Sequence, residues 1–81
     1  MENGYHLTKI PKGELGKLSK IQEELLELQD AEMQECKVMQ LVELSDLYGA
    51  VEAYASQLGA TMADLKCFSD ITKRAFHNGR R

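Results

Sequence analysis

The chain has 81 residues, 43% of them hydrophobic, with one Pro and six Gly; this excludes a multidomain protein and argues against disorder. The formal net charge is −3, and residues 1–60 hold eleven Asp/Glu against five Lys/Arg, so nonspecific nucleic-acid binding is not expected. Two distant cysteines, Cys36 and Cys67, and two isolated histidines, His6 and His77, give no structural zinc spacing.

Free thiols suit a reducing cytoplasm. No basic stretch followed by an apolar run marks a signal peptide, and no apolar segment approaches the roughly 20 residues a membrane span needs. The expectation is a cytoplasmic protein with no membrane association.

Residues 1–12 have no period and are punctuated by Gly4 and Pro11, with Gly13 just beyond; they read as an extended arm that packs through Tyr5, Leu7 and Ile10. Residues 13–81 form the single domain. From about Glu14, Leu15, Leu18, Ile21, Leu25 and Leu28 make a helical apolar stripe, widened by Leu26. Its next positions are Glu32 and Glu35, so the stripe breaks between about Asp30 and Lys37. A single rod could not bury its stripe, so the spacing predicts an antiparallel hairpin turning near residue 35.

The second helix is expected from about Val38 to Leu58. Leu41, Leu44, Tyr48, Val51, Ala55 and Leu58 line one face; Val42, Leu47, Ala50, Ala53 and Tyr54 make a second side apolar. Such a helix touches both its own chain and a partner. Gly59 ends it. Thr61 then reads as an N-cap with Asp64 in capping-box position. The third helix carries Leu65, Phe68, Ile71, Thr72, Ala75 and Phe76, with Gly79 after its end. The fold class is all-α: a helical hairpin plus a third helix, completing a four-helix-type bundle by dimerisation.

Two pairs of acids carry the chemistry. Glu24 with Glu27, and Glu43 with Asp46, are each spaced i,i+3 and share a helix face. The midpoint of Glu24 and Asp46 is residue 35, and so is that of Glu27 and Glu43. A hairpin turning there brings all four carboxylates to one height. Four acids at one spot repel unless a cation sits between them, which points to Mg²⁺, with Mn²⁺ as the alternative, and to a phosphate-bearing substrate. Acids on amphipathic helices are more often a solvated face. Here Glu43 and Asp46 stand among Leu41, Val42, Leu44, Leu47 and Tyr48, with no cation at i±3 or i±4, and buried charge needs a partner. Glu23, next to Glu24, is the nearest acid able to accept a proton from water, although it points about 100° away on the helix. Lys20 lies four residues before Glu24 and is either its ion-pair partner or a phosphate contact. Gly49, with Ala50 and Ala53, leaves room beside the acids for a ligand or, more simply, for close helix contact.

The run Glu23-Glu24-Leu25-Leu26-Glu27, then fifteen residues, then Glu43-Leu44-Ser45-Asp46, resembles the EExxE…ExxD signature of the MazG-like all-α nucleoside triphosphate pyrophosphohydrolases. The resemblance covers about residues 13–81. It implies Mg²⁺-dependent cleavage between the α- and β-phosphates of a nucleoside triphosphate, releasing a monophosphate and pyrophosphate. It also implies Glu24, Glu27, Glu43 and Asp46 as metal ligands, and Glu23 and Glu24 as the catalytic acids. Lys20, Lys66, Lys73, Arg74 and Arg80 become the phosphate contacts, Arg74 matching the family's basic helix best. A homodimer or homotetramer follows by the same resemblance. The chain departs from the family in its shortness, with no fourth helix after Phe76. A catalytically weak nucleotide- and metal-binding helical dimer is the alternative function, and a purely structural helical dimer is the third.

Overall fold

The computed structural model describes residues 6–77 and residue 79; Tyr5 and Arg80, and the side chains of Ala75 and Phe76, lie outside the described residues. Three helices follow one another: α1 (Leu18–Met33), α2 (Lys37–Gln57) and α3 (Met62–His77). No strand occurs among the described residues. The all-α expectation holds, and α1 and α2 pack against each other as the hairpin.

The turn at residues 34–36 is made without glycine. The Cys36 N–H donates to the Ala31 carbonyl at 3.4 Å, and the Glu35 N–H to the Glu32 carbonyl at 2.9 Å. This pair of bonds satisfies carbonyls that the end of a helix leaves open, and it requires a left-handed residue. Glu35 fills that place at φ 55°. An L-residue there costs roughly 1–2 kcal/mol, which the closed helix end offsets. The same device ends α2. Ala60 N–H reaches Ala55 O at 2.9 Å, Gly59 N–H reaches Ser56 O at 3.0 Å, and Gly59 takes the left-handed place without strain at φ 80°.

The capping box forms as expected. The Asp64 N–H donates to Thr61 Oγ1 at 3.2 Å, and the Thr61 N–H to Asp64 Oδ2 at 2.9 Å. Gly79 follows α3 at φ 71°.

α1 begins later than its apolar period suggests, at Leu18 rather than near Glu14. Gly16 is left-handed at φ 91°, and a turn closes from Lys17 N–H to the Glu14 carbonyl at 3.0 Å. Gly13 packs so closely on Ser19 that a Cβ there would lie 2.2 Å from the Ser19 carbonyl oxygen. The chain can make that approach only with glycine, so the segment folds back across the head of α1 and does not extend it.

Two acids hold the arm on α1. Asp30 is fully buried and accepts from Leu7 N–H (2.7 and 2.9 Å), Thr8 N–H (2.8 Å), Thr8 Oγ1 (2.9 Å) and Gln34 Nε2 (2.7 Å). Burial alone would raise this carboxyl, but those donors outweigh it and hold Asp30 at about 2. Glu23 Oε1 accepts from Gly13 N–H at 2.8 Å and from Lys20 Nζ at 3.1 Å.

The hydrophobic pattern is inverted relative to an ordinary core. The buried apolar residues among those described are Ala31, Ala50 and Ala55, while Glu23, Glu24, Asp30 and Glu43 are buried as well. Much of each stripe expected to fill a core faces outward. Leu15 ahead of α1, Leu18 and Leu25 on α1, and Leu41, Leu44 and Tyr48 on α2 are exposed, while Ile21, Leu28 and Val51 are half-buried. The hairpin packs most tightly through small residues and acids, with Ile21, Leu28, Leu47, Val51 and Tyr54 half-buried and many of its other large apolar side chains exposed. α3 shows the same habit, with Phe68 and Ile71 exposed. None of the described helices is long and apolar enough to cross a membrane.

Candidate metal centre

The hairpin brings acids of the two pairs together, though not all four in one group. One carboxylate oxygen each from Glu24, Glu43 and Asp46 lie within 4.8 Å of one another. Oxygens of Glu23, Glu24 and Glu27 form a second such group, and His6, Glu27 and Glu43 a third. Every pairing of the four motif acids except Glu27 with Asp46 occurs in one of these groups. Glu43 has no exposed surface, Glu24 is 4% exposed, and Asp46 is open to solvent at the rim. The site therefore has a buried floor and one accessible wall.

Electrostatics at the floor are strained. Burial first, and then the nearby carboxyls of Glu24 and Glu43, push Glu27 up to about 7, with His6 acting in the opposite direction. Lys20 Nζ bridges Glu23 Oε1 and Glu24 Oε2, each at 3.1 Å. These contacts raise the Lys20 ammonium. Burial would raise Glu23, but Gly13 N–H and then Lys20 bring it below the usual carboxylate range. Oε1 of Glu24 is buried with no hydrogen-bond partner among the described residues. A buried carboxylate oxygen with no donor is costly. Either a proton held on Glu27 or a cation satisfies it.

The donor set fits a divalent ion. Mg²⁺ and Mn²⁺ favour carboxylate oxygens and keep places for water and phosphate. Glu24, Glu43 and Asp46 supply hard oxygen donors, and Glu27 borders both Glu24 and Glu43. Beside them an open groove of about 480 Å³ is lined by Leu15, Lys20, Glu24, Ser45, Asp46 and Gly49. A Cβ built on Gly49 would meet no atom within 4 Å. Within one chain, the room beside the acids thus opens onto the groove and is not filled by helix contact.

No protein-family profile, curated protein or solved structure matches this chain. The chemistry of the site is therefore read from its own residues.

Lys12 Nζ also comes within 3.9 Å of Glu23 Oε2, and, Lys20 apart, the expected phosphate contacts that the structure describes stand on α3. Lys66 pairs with Asp70 along α3 at 3.2 Å, and with Lys73 it lines a cleft between α2 and α3 shared with Tyr48 and Val51. Arg74 is exposed in the last turn of α3. Of the expected phosphate contacts, the structure brings Lys20 to the acids and sets Lys66 and Lys73 on the other cleft. Glu23 reaches the acid group despite its 100° offset, and its Oε1 also holds Gly13 and Lys20.

Three contributions have no signature in the sequence pattern. His6 Nε2 lies 3.1 Å from Glu27 Oε1 across 21 residues of chain. Asp30 anchors the arm across 22 and 23 residues. Gly13 closes on Glu23 from ten residues away. None of these separations follows a helical period. The one usable signal was an acid, Asp30, at the point where the apolar stripe fails.

Proposed function

We propose that this protein is a small Mg²⁺-dependent nucleotide pyrophosphohydrolase. It would cleave a nucleoside triphosphate between its α- and β-phosphates to give a monophosphate and pyrophosphate. The observation that carries the reading is the convergence of Glu24, Glu43 and Asp46 within 4.8 Å, with Glu27 bordering them and Glu24 Oε1 buried without a partner. The resemblance of the EExxE…ExxD spacing to MazG-like enzymes supports the same reading.

Glu24, Glu27, Glu43 and Asp46 would hold the ion. When bound, a divalent cation there would supply charge neutralisation for phosphate oxygens and a lowered pKa for water. The protein's own groups set up the rest. Asp46 and Lys20 border the open groove, so a polyphosphate entering there meets an ammonium at the edge of the acids. Lys20 is held by Glu23 and Glu24, which fixes its charge beside the groove. The Glu23 carboxylate also pins the Gly13 turn over the head of α1, so the nearest spare acid orients Lys20 and the arm.

The exposed faces of α1 and α2 support a homodimer. Leu18, Leu25, Leu41 and Leu44 are the side chains a second copy would cover, and oligomerisation is the usual remedy for a chain with so small a core. The α3 cations Lys66 and Lys73, which line a separate cleft, would then be available to a neighbour's site.

The test is pyrophosphate release from a panel of NTPs and dNTPs, with Mg²⁺ or EDTA, by wild-type protein and Glu43→Gln. Release that needs Mg²⁺ and is lost in Glu43→Gln without loss of helicity is expected. Metal-independent release, or full activity in Glu43→Gln, would overturn the proposal. Tight nucleotide binding with no turnover would instead select the binding-protein reading.

A further inference from the structure

The histidine on the arm belongs to the acid cluster. A ring nitrogen of His6, a Glu27 oxygen and a Glu43 oxygen lie within 4.8 Å of one another, and Nε2 is 3.1 Å from Glu27 Oε1. Two atoms bound to one ion at about 2.1 Å stand roughly 3–4 Å apart, so this 3.1 Å contact, a hydrogen bond in the metal-free protein, has a spacing that also suits two ligands on a shared cation. Behind the ring, Nδ1 faces Asp30 Oδ1 at 3.7 Å. A carboxylate on the far nitrogen is the usual second partner of a metal-binding histidine; it fixes the tautomer and turns the other nitrogen's lone pair toward the metal. Asp30 is fully buried and bonded to the backbone N–H groups of Leu7 and Thr8, the two residues after His6. The same carboxylate therefore sets the path of the arm and lies beside the ring, 3.7 Å being beyond a direct hydrogen bond. Glu24, whose buried Oε1 has no hydrogen-bond partner among the described residues, also belongs to the adjoining groups that hold Glu27 and Glu43.

We propose that His6 is a nitrogen ligand of this centre, which makes it a mixed histidine–carboxylate site for a first-row transition-metal divalent cation in addition to Mg²⁺. This rests on the reading that the acids hold a cation. Imidazole adds little for Mg²⁺, which prefers oxygen, a modest amount for Mn²⁺, and much for Co²⁺ or Zn²⁺. The N-terminal arm is thus part of the metal centre, delivering a ligand that the two acidic motifs do not contain. Asp30 is the positioning residue behind it.

The experiment uses the full chain, with Mn²⁺ and Co²⁺ as probes. Pulsed EPR on the Mn²⁺-loaded wild type should show ¹⁴N modulation from a directly bound imidazole. His77, the other histidine, is exposed at the end of α3, so His77→Gln should keep the signal and His6→Gln should lose it. By calorimetry, His6→Gln should weaken Co²⁺ by about tenfold or more while Mg²⁺ changes by less than about threefold. Mn²⁺ bound in the wild type without ¹⁴N modulation, or modulation that survives in His6→Gln, would overturn the ligand assignment and leave the acid site standing. Failure of the wild type to bind any of the three ions would overturn both. The ¹⁴N signal is read on the unmodified protein, so the result does not depend on how the variant folds.

Discussion

Replacing Asp30 with Asn tests what holds the arm to the body. The substitution keeps the shape and removes the charge. Asp30 serves four donors: Leu7 N–H, Thr8 N–H, Thr8 Oγ1 and Gln34 Nε2, all within 2.9 Å. Asn can accept from some of them, but its NH₂ must face another donor. Hydrogen bonds to a charged acceptor contribute about 1.5–3 kcal/mol each, and a stranded buried donor costs about 1–3 kcal/mol. These do not add, because the arm can detach as a unit once its anchor fails. The expected loss is about 2–3 kcal/mol, a fall in Tm on the order of 10–20 °C for a chain of this size at fixed protein concentration. The sign with pH is definite. Asp30 sits at about 2, below its ordinary 3.8, so its contribution is present above pH 3.8 and is lost as pH falls towards 2. Asp30→Asn should show no such step. Amide exchange at Leu7 and Thr8 gives the local readout: slow in the wild type, fast in the variant. Wild-type amides exchanging at free-peptide rates, or an Asn variant melting within about 2 °C of wild type, would refute the anchoring role.

Glu27→Gln should stabilise the protein in EDTA at pH 8. The wild-type carboxyl sits near 7 against an ordinary 4.5, so its stability is highest below pH 4.5 and declines as pH rises to 7. The full shift corresponds to about 3 kcal/mol, and solvent screening at this partly open site reduces the expected gain to about 1–2 kcal/mol. Denaturant titrations at pH 4.5 and 8 check it, and an unchanged difference between the two pH values would count against it. Saturating Mn²⁺ should then favour the wild type, which binds it better. Glu35→Gly should raise the denaturant midpoint by relieving the left-handed strain, a gain of about 0.5–1 kcal/mol after the added freedom of the unfolded chain. A lowered midpoint would show that Glu35 is not strained there.

The sequence by itself determined whatever is local or periodic. The hairpin turn near residue 35, the α2 boundaries, the Gly59 stop and the Thr61–Asp64 box all follow from spacing along one helix or across one short turn. The meeting of Glu24 with Glu43 and Asp46 was legible too, because a tight antiparallel hairpin converts equal distances from its turn into equal heights. Tertiary structure alone decided the rest. His6, Gly13 and the Asp30 anchor reach α1 by a path of ten to twenty-three residues that no helical period encodes. The late start of α1 came from Gly16 and the contact at Gly13, which outweighed the apolar period of Leu15 and Leu18. The stripes were visible in the sequence, but not the direction in which they face. Small residues and a carboxylate, Ala31, Ala50 and Glu43, are buried in the hairpin, while Leu18, Leu25, Leu41 and Leu44 are exposed.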